Sequence, residues 1–108
     1  MDTKSVLTAL AALAQESRLN VFRLLVQTGP QGLAASKIAE TLDVAPSSLS
    51  FHLKELTNAG LIESRQEGRF IFYSANFDTM NGVLSFLTEN CCAGQSCAPV
   101  NQANTCKP

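Results

Sequence analysis

The sequence predicts a mainly α-helical fold with one two-stranded β-hairpin, and three observations support it. Apolar residues recur at helical spacing in four successive segments before residue 60. Aromatic and β-branched residues then lie on both sides of a glycine turn, which is typical of a hairpin. One further amphipathic segment follows the hairpin. This order predicts a winged helix-turn-helix.

The first two helices are predicted from apolar spacing and from a strong stop signal. The first, over about residues 4–15, has an apolar face made of Leu7, Leu10, Ala11 and Ala14. The second begins at Ser17 and has one face made of Val21, Leu24, Leu25 and Thr28. It ends at Gly29 and Pro30, because proline cannot continue a helix.

The next segments predict the helix-turn-helix itself and the wing. A short third helix in residues 35–42 offers Ile38 and Leu42 to the core, and a tight connection over residues 43–45 follows it. Pro46 suits the first position of a fourth helix that runs to about Asn58. Its buried stripe is Leu49, Leu53 and Leu56. A polar turn at residues 66–68 then joins the two strands, and a last helix ending near Asn90 carries Met80, Val83, Leu84 and Leu87.

Composition limits the classes of protein to which the chain can belong. Its 108 residues, 45% hydrophobic and 16% charged, indicate one globular domain that is not disordered. No apolar run approaches the roughly 20 residues that a membrane span needs, and Asp2 argues against a signal peptide. We therefore expect a cytoplasmic protein without a membrane partner. The net charge of −1 disfavours strong non-specific binding to DNA, so we expect ordinary affinity.

The cysteines divide the chain into two predicted parts. They are Cys91, Cys92, Cys97 and Cys106. A disulfide scaffold would spread its cysteines through the fold, whereas these lie together at one end. In a reducing compartment such a cluster is typical of a soft-metal or redox site. We assign residues 1–90 to a DNA-binding and dimerisation domain, and residues 91–108 to an effector-binding tail.

A longer string carries a family resemblance. Residues 44–73 read VAPSSLSFHLKELTNAGLIESRQEGRFIFY, and residues 16–25 read ESRLNVFRLL. The most specific part is Ser50-x-His52-Leu53-x-x-Leu56, with Gly68-Arg69 downstream. Over about residues 5–90 the chain resembles the ArsR/SmtB family of metal- and arsenic-responsive repressors. Our hypothesis is a homodimer on double-stranded operator DNA, with the first and last helices at its interface.

Candidate DNA contacts lie on the fourth helix and the hairpin. With the leucines inward, the helix presents Ser47, Ser48, Phe51 and Lys54 to solvent. Small hydroxyls near a helix N-terminus approach the major groove closely, and Phe51 suits a thymine methyl. Ser50 and His52 belong to the motif. The resemblance implies that His52 lies near the DNA backbone, and the alternative is a structural histidine. Arg65 and Arg69 suit a phosphate backbone or minor groove, or merely solvate the turn.

The resemblance also implies that the cysteines form the effector-binding site. Residues 32–42 contain no cysteine and residues 76–90 contain no histidine, so two other sites of the family are absent. Cys91, Cys92 and Cys97 remain, similar to the site of some arsenic-responsive members. Trivalent arsenic takes three sulfur ligands, and soft thiolates suit such an ion. We expect arsenite or antimonite as effector and no organic cofactor. Cys106 is a spectator or the fourth sulfur of a zinc site.

Together these expectations predict an arsenic-responsive repressor that leaves its operator when the cysteines bind arsenite. Three alternatives stay open: a thiol redox or sulfide switch, a zinc- or cadmium-responsive repressor of the same fold, and an arsenic carrier that does not bind DNA. An enzyme is not expected, because no glycine-rich phosphate cradle precedes a cysteine.

Overall fold

The computed structural model describes residues 1–94, which contain the helices and strands expected of a winged helix-turn-helix. The helices are α1 (Thr3–Leu13), α2 (Glu16–Thr28), α3 (Ala35–Leu42), α4 (Pro46–Asn58) and α5 (Phe77–Thr88). The strands are β1 (Leu33–Ala34), β2 (Ile62–Glu67) and β3 (Phe70–Ala75). A single 3-10 turn, Cys91–Gly94, follows α5.

Side-chain caps and special backbone positions explain where several helices begin and end. Asp2 accepts a hydrogen bond from the backbone N–H of Ser5 at 2.9 Å and so begins α1. Gln15 accepts from the N–H of Arg18 at 2.9 Å at the start of α2. Asn76 accepts from the N–H of Thr79 at 3.2 Å at the start of α5. Pro46 is the first residue of α4, as predicted.

The sheet has three strands in the order β1-β3-β2, all antiparallel, where the sequence predicted two. The predicted hairpin is confirmed, and Ser64 of β2 lies opposite Tyr73 of β3. Leu33 of β1 pairs with Tyr73 from the other side. A strand of two residues is too short to show a period of two, so the pattern could not reveal it.

The hairpin turn lies further along the chain than the polar residues suggested. The strands continue through Glu67, which pairs with Phe70, so the turn consists of Gly68 and Arg69 rather than residues 66–68. Gly68 supplies the positive φ of 64° that this reversal needs. Arg69 therefore lies at the tip itself, and Arg65 lies further back along β2.

The core confirms the predicted faces of the central helices. Leu49, Leu53 and Leu56 of α4 are at most 4% exposed. Val21 and Leu25 of α2 and Ile38 of α3 are fully buried, while Leu24, Thr28 and Leu42 are half-buried. Val83 is the buried residue of α5, and Met80 is half-buried beside it.

Helix α1 packs through a different side from the apolar face that its spacing indicated. Val6 and Ala9 are buried, whereas Leu7 is 60% exposed. Leu10, Ala11 and Ala14 are exposed as well. Since α1 is apolar on more than one side, periodicity could not show which side meets the core.

Candidate nucleic-acid interface

Helix α4 separates an apolar inner side from a polar outer side. The outer residues named in the sequence analysis are all exposed: Ser47, Ser48, Ser50, Phe51 and Lys54. Phe51 is 57% exposed, although it neighbours the buried Leu53. The helix is therefore not buried on both sides, and its outer side is free to meet a partner.

The N-terminus of α4 adds backbone donors to this outer side. Asp43 ends α3 in the left-handed conformation with φ 54°, which turns the chain sharply into α4. Ala45 at the N-cap has no side-chain acceptor, so no side chain caps the first amides of α4. Amides at a helix N-terminus suit a phosphate group, because they are donors at the positive end of the helix dipole.

His52 lies at the edge between the two sides of α4. The residue is half-buried, and its ring meets Phe51 edge-on with 5.9 Å between centroids. Its Nδ1 is the one buried side-chain nitrogen or oxygen within residues 1–94 that has no hydrogen-bond partner. His52 thus lies beside the outer side of α4 and holds one buried nitrogen that no group of the described residues satisfies.

A shallow polar groove connects α4 to the hairpin. Ser50, Lys54 and Asn58 form its helix wall, and Ser64 and Tyr73 form its strand wall. Two of the predicted contact residues, Ser50 and Lys54, thus lie between the outer side of α4 and the wing. The outer side and the wing form one continuous surface.

The wing tip is exposed and carries both charge and apolar area. Arg69 makes no hydrogen bond or ion pair with any other residue of the described range 1–94. Phe70 and Ile71, which follow it, are 60% and 47% exposed. The Arg69 side chain can therefore reach a partner without first breaking a hydrogen bond or an ion pair.

Arg65, the other predicted wing contact, is already engaged. Its guanidinium donates to the carbonyl oxygen of Gln31 at 2.6 Å and to that of Pro30 at 3.4 Å. It also pairs with the Glu67 carboxylate and lies 5.3 Å from the centroid of the Phe72 ring. No pattern in the sequence indicated these partners.

A second exposed surface is apolar and lies on α1 and α5. Helices α1 and α5 pack against each other and leave large side chains in solvent. These are Leu7, Leu10, Leu84 and Leu87, each at least 37% exposed. We call them the leucine face. An exposed apolar patch of this kind marks an interaction site in a small protein.

The first two cysteines follow α5 directly. Cys91 is half-buried, Cys92 is exposed, and their sulfur atoms lie 3.6 Å apart. Cys97 and Cys106 lie outside the described residues. Within residues 1–94, no group of three or more histidine, cysteine or acidic side chains is arranged to hold a metal ion. Two of the three predicted sulfur ligands therefore lie within the described residues, and Cys92 among them is disulfide-bonded.

Among these same residues, no helix combines the length and apolarity that crossing a bilayer demands.

The chain matches known regulators in sequence. Residues 13–65 match the sequence model of a helix-turn-helix domain. The arsenical resistance operon repressor of Bacillus subtilis is 37% identical over 81 residues, which cover 75% of this chain and 73% of the relative. The chain belongs to the ArsR/SmtB family. The family resemblance found in the sequence is therefore confirmed.

Two further proteins are similar to this ArsR/SmtB chain, one in sequence and one in structure. The cadmium resistance transcriptional regulatory protein CadC of Listeria innocua is 31% identical over 72 residues, or 67% of this chain and 59% of the relative. An ArsR-like transcriptional regulator from Rhodococcus sp. RHA1 superposes with a TM-score of 0.68 at 30% identity, covering 78% of this chain and 76% of that chain. The protein is a DNA-binding transcriptional repressor and not an enzyme.

Proposed function

We propose that this ArsR/SmtB protein is a cytoplasmic homodimer that represses its operator and releases it when trivalent arsenic binds Cys91, Cys92 and Cys97. One observation carries the proposal. The adjacent Cys91 and Cys92 sulfurs, 3.6 Å apart, follow the helix that bears half of the leucine face. An effector bound there acts directly on the end of a helix in the proposed dimer interface.

The DNA side of the proposal uses the continuous surface of α4 and the wing. The proposed contacts are Ser47, Ser48, Ser50, Phe51, His52, Lys54 and Arg69, and Arg65 lies behind Arg69 on β2. Hydroxyls and the helix N-terminus would hold phosphates, and Phe51 would contact a thymine methyl in the major groove. Two copies of α4 would read successive major grooves roughly 34 Å apart on one side of the duplex.

The dimer side of the proposal uses the leucine face. Leu84 and Leu87 are exposed while Val83, which precedes Leu84, is buried, so α5 is apolar on two sides. A buried leucine side chain contributes about 1.5–3 kcal/mol relative to an exposed one. A second copy would cover this face, and the added burial would supplement the modest core of a chain this small.

Arsenic would act by drawing the three sulfurs together at the end of α5. Two of them are adjacent in the sequence, so only the third must be brought in from a distance. The rearrangement would shift α5 in the interface and change the spacing of the two α4 helices. Coupling free energies of about 1–3 kcal/mol are typical between two such sites, and this is enough to release an operator.

Other effectors and functions predict different responses. The similarity to a protein named for cadmium resistance favours cadmium or zinc as the second candidate effector. A close sulfur pair also suits a redox or sulfide switch, which would respond to oxidants. A carrier of arsenic would not bind the promoter at all.

The test is a binding titration on a duplex from the promoter of the protein's own gene. Arsenite, antimonite, cadmium, zinc and peroxide are added in parallel, and release is followed by fluorescence anisotropy. We expect arsenite and antimonite to release the wild-type protein, and Cys92→Ser to bind the duplex normally but ignore both.

Cys106→Ser is the matched control and should release like the wild type. Normal release of Cys92→Ser by arsenite would show that the effector binds elsewhere. Release by peroxide or cadmium alone would assign the cysteines to one of the other two responses.

A further inference from the structure

Arg65 connects the wing to a loop that is distant in the sequence. Its Nη2 donates to the Gln31 carbonyl oxygen at 2.6 Å and its Nη1 to the Pro30 carbonyl oxygen at 3.4 Å. These partners lie 34 and 35 residues earlier in the chain. The loop leads through β1 into α3, so Arg65 joins the wing to the start of the helix-turn-helix.

The loop is shaped to present these carbonyl groups. Gly29 and Gly32 have φ of 96° and 72°, and the N–H of Gly32 bonds to the carbonyl of Gly29 at 3.1 Å. A side chain at Gly32 would overlap the backbone carbonyl oxygen of Tyr73. The loop therefore lies tightly against β3, and the side chain of Arg65 on β2 reaches its carbonyl groups across β3.

The other contacts of Arg65 fix the plane of its guanidinium. Phe72 lies directly across from Arg65 in the β2-β3 register, and the guanidinium carbon lies over its ring, 5.3 Å from the centroid. The Nε group pairs with the Glu67 carboxylate on the same strand. A planar group that contacts a ring, one carboxylate and two carbonyls uses the fork geometry that distinguishes arginine from lysine.

Arg65 and Arg69 thus differ in what their charge can do. The charge of Arg65 faces Glu67, whereas that of Arg69 at the tip has no partner within residues 1–94. Binding a phosphate through Arg65 would compete with contacts already made. Binding one through Arg69 would break none.

We infer that Arg65 is a positioning residue, which sets the angle of the wing against the loop that leads into α3, while Arg69 supplies the wing's charge to DNA. The inference rests on the proposed operator binding. Arg65 then raises operator affinity through the hydrogen bonds that its guanidinium makes within the protein, and not through its charge.

The matched variants Arg65→Lys and Arg69→Lys separate shape from charge, because both keep the positive charge. On the promoter duplex, we expect Arg65→Lys to bind about tenfold more weakly, since charge-assisted hydrogen bonds to two carbonyls are lost. Arg69→Lys should bind within about twofold of the wild type, because a lysine also contacts a phosphate. Wild-type affinity of Arg65→Lys would overturn the inference.

The salt dependence of binding supplies a second readout. Affinity falls as salt rises, and each phosphate contact contributes about 0.9 to the steepness of log affinity against log salt. Arg69→Gln should therefore make this slope shallower by about two, because each dimer loses two contacts. Arg65→Gln, which also removes a positive charge, should lose affinity but keep the wild-type slope. A slope reduced in Arg65→Gln as much as in Arg69→Gln would mean that Arg65 contacts the backbone of DNA, and would overturn the inference.

Amide hydrogen exchange in the protein without DNA tests the positioning itself. Arg65→Lys should speed exchange at Gly32 and in β3, and should leave α4 as protected as in the wild type. Unchanged exchange everywhere, or lost protection throughout the chain, would contradict a local contact between wing and loop. This readout separates the two proposals, because a wild-type protein that ignores the promoter would refute operator binding without altering the exchange result.

Discussion

Helix α4 and the leucine face lie on the same core but expose opposite chemistry. The outer side of α4 carries serines, Phe51 and Lys54, whereas α1 and α5 expose four leucines. Burial of leucine is favourable against another apolar surface, and hydroxyls and amides are suited to phosphates. In the proposed function the outer side of α4 would contact DNA, and the leucine face would contact the second copy of the chain.

The largest expected effect comes from placing a charge in the leucine face. Leu87→Glu removes one apolar side chain from each copy, and each contributes about 1.5–3 kcal/mol when buried. We expect the dimer dissociation constant to rise at least about a hundredfold. Analytical ultracentrifugation measures it, and operator binding should fall in parallel.

Thr41→Glu is the control for this variant, since Thr41 is exposed on α3 and lies outside both helices of the leucine face. It should remain as dimeric as the wild type. A Leu87→Glu protein that is still fully dimeric at micromolar concentration would place the interface elsewhere.

Two neighbouring positions on α4 should separate stability from DNA affinity. Leu53 is 4% exposed, so Leu53→Ala leaves a cavity in the core, and the free energy of unfolding should fall by about 2–5 kcal/mol. Phe51→Ala changes a side chain that is 57% exposed and should leave stability almost unchanged. Its operator binding should weaken instead by about 1 kcal/mol, because burying one methyl-sized group against Phe51 contributes about 0.8 kcal/mol.

Urea denaturation and anisotropy measure the two quantities separately. The division between the inner and outer sides of α4 would be refuted if Phe51→Ala were the less stable variant, or if it bound the promoter as the wild type does.

The smallest effect is expected at the glycines that hold the wing. Gly32→Ala meets both a positive φ and the Tyr73 carbonyl oxygen, so stability should fall by about 1–3 kcal/mol. Gly68→Ala has a similar φ but no atom within 4 Å, so only the backbone cost of about 1–2 kcal/mol remains. Thermal unfolding of the two variants compares them, and an equal loss would show that the Tyr73 contact is unimportant.

Much of the fold follows from local patterns, and the outer side of α4 follows with it. The leucine spacing over residues 49–56 predicts the buried stripe, and once that stripe is inward the serines and Phe51 must face solvent. Pro46 and Gly68 mark a helix start and a strand reversal through backbone preferences that depend on single residues.

The wing and α1 show where local patterns were not sufficient. The two residues of β1 are too few to show an alternating pattern. The polar residues 66 and 67 suggested a turn, but they belong to β2, and the turn itself is Gly68 and Arg69. For α1, the exposed Leu7 is as apolar as the buried Val6, so spacing alone pointed to the wrong side. These features depend on contacts with other elements and not on the segment itself.

By itself, the sequence determined the order of helices and hairpin, the inner stripe of α4 and the membership in the ArsR/SmtB family, because each rests on short-range spacing or on similarity along the chain. Only the tertiary structure decided which side of α1 remains exposed and that Arg65 binds the loop at Pro30 and Gln31. Those outcomes join residues far apart in the chain, and no local preference determines which of them meet.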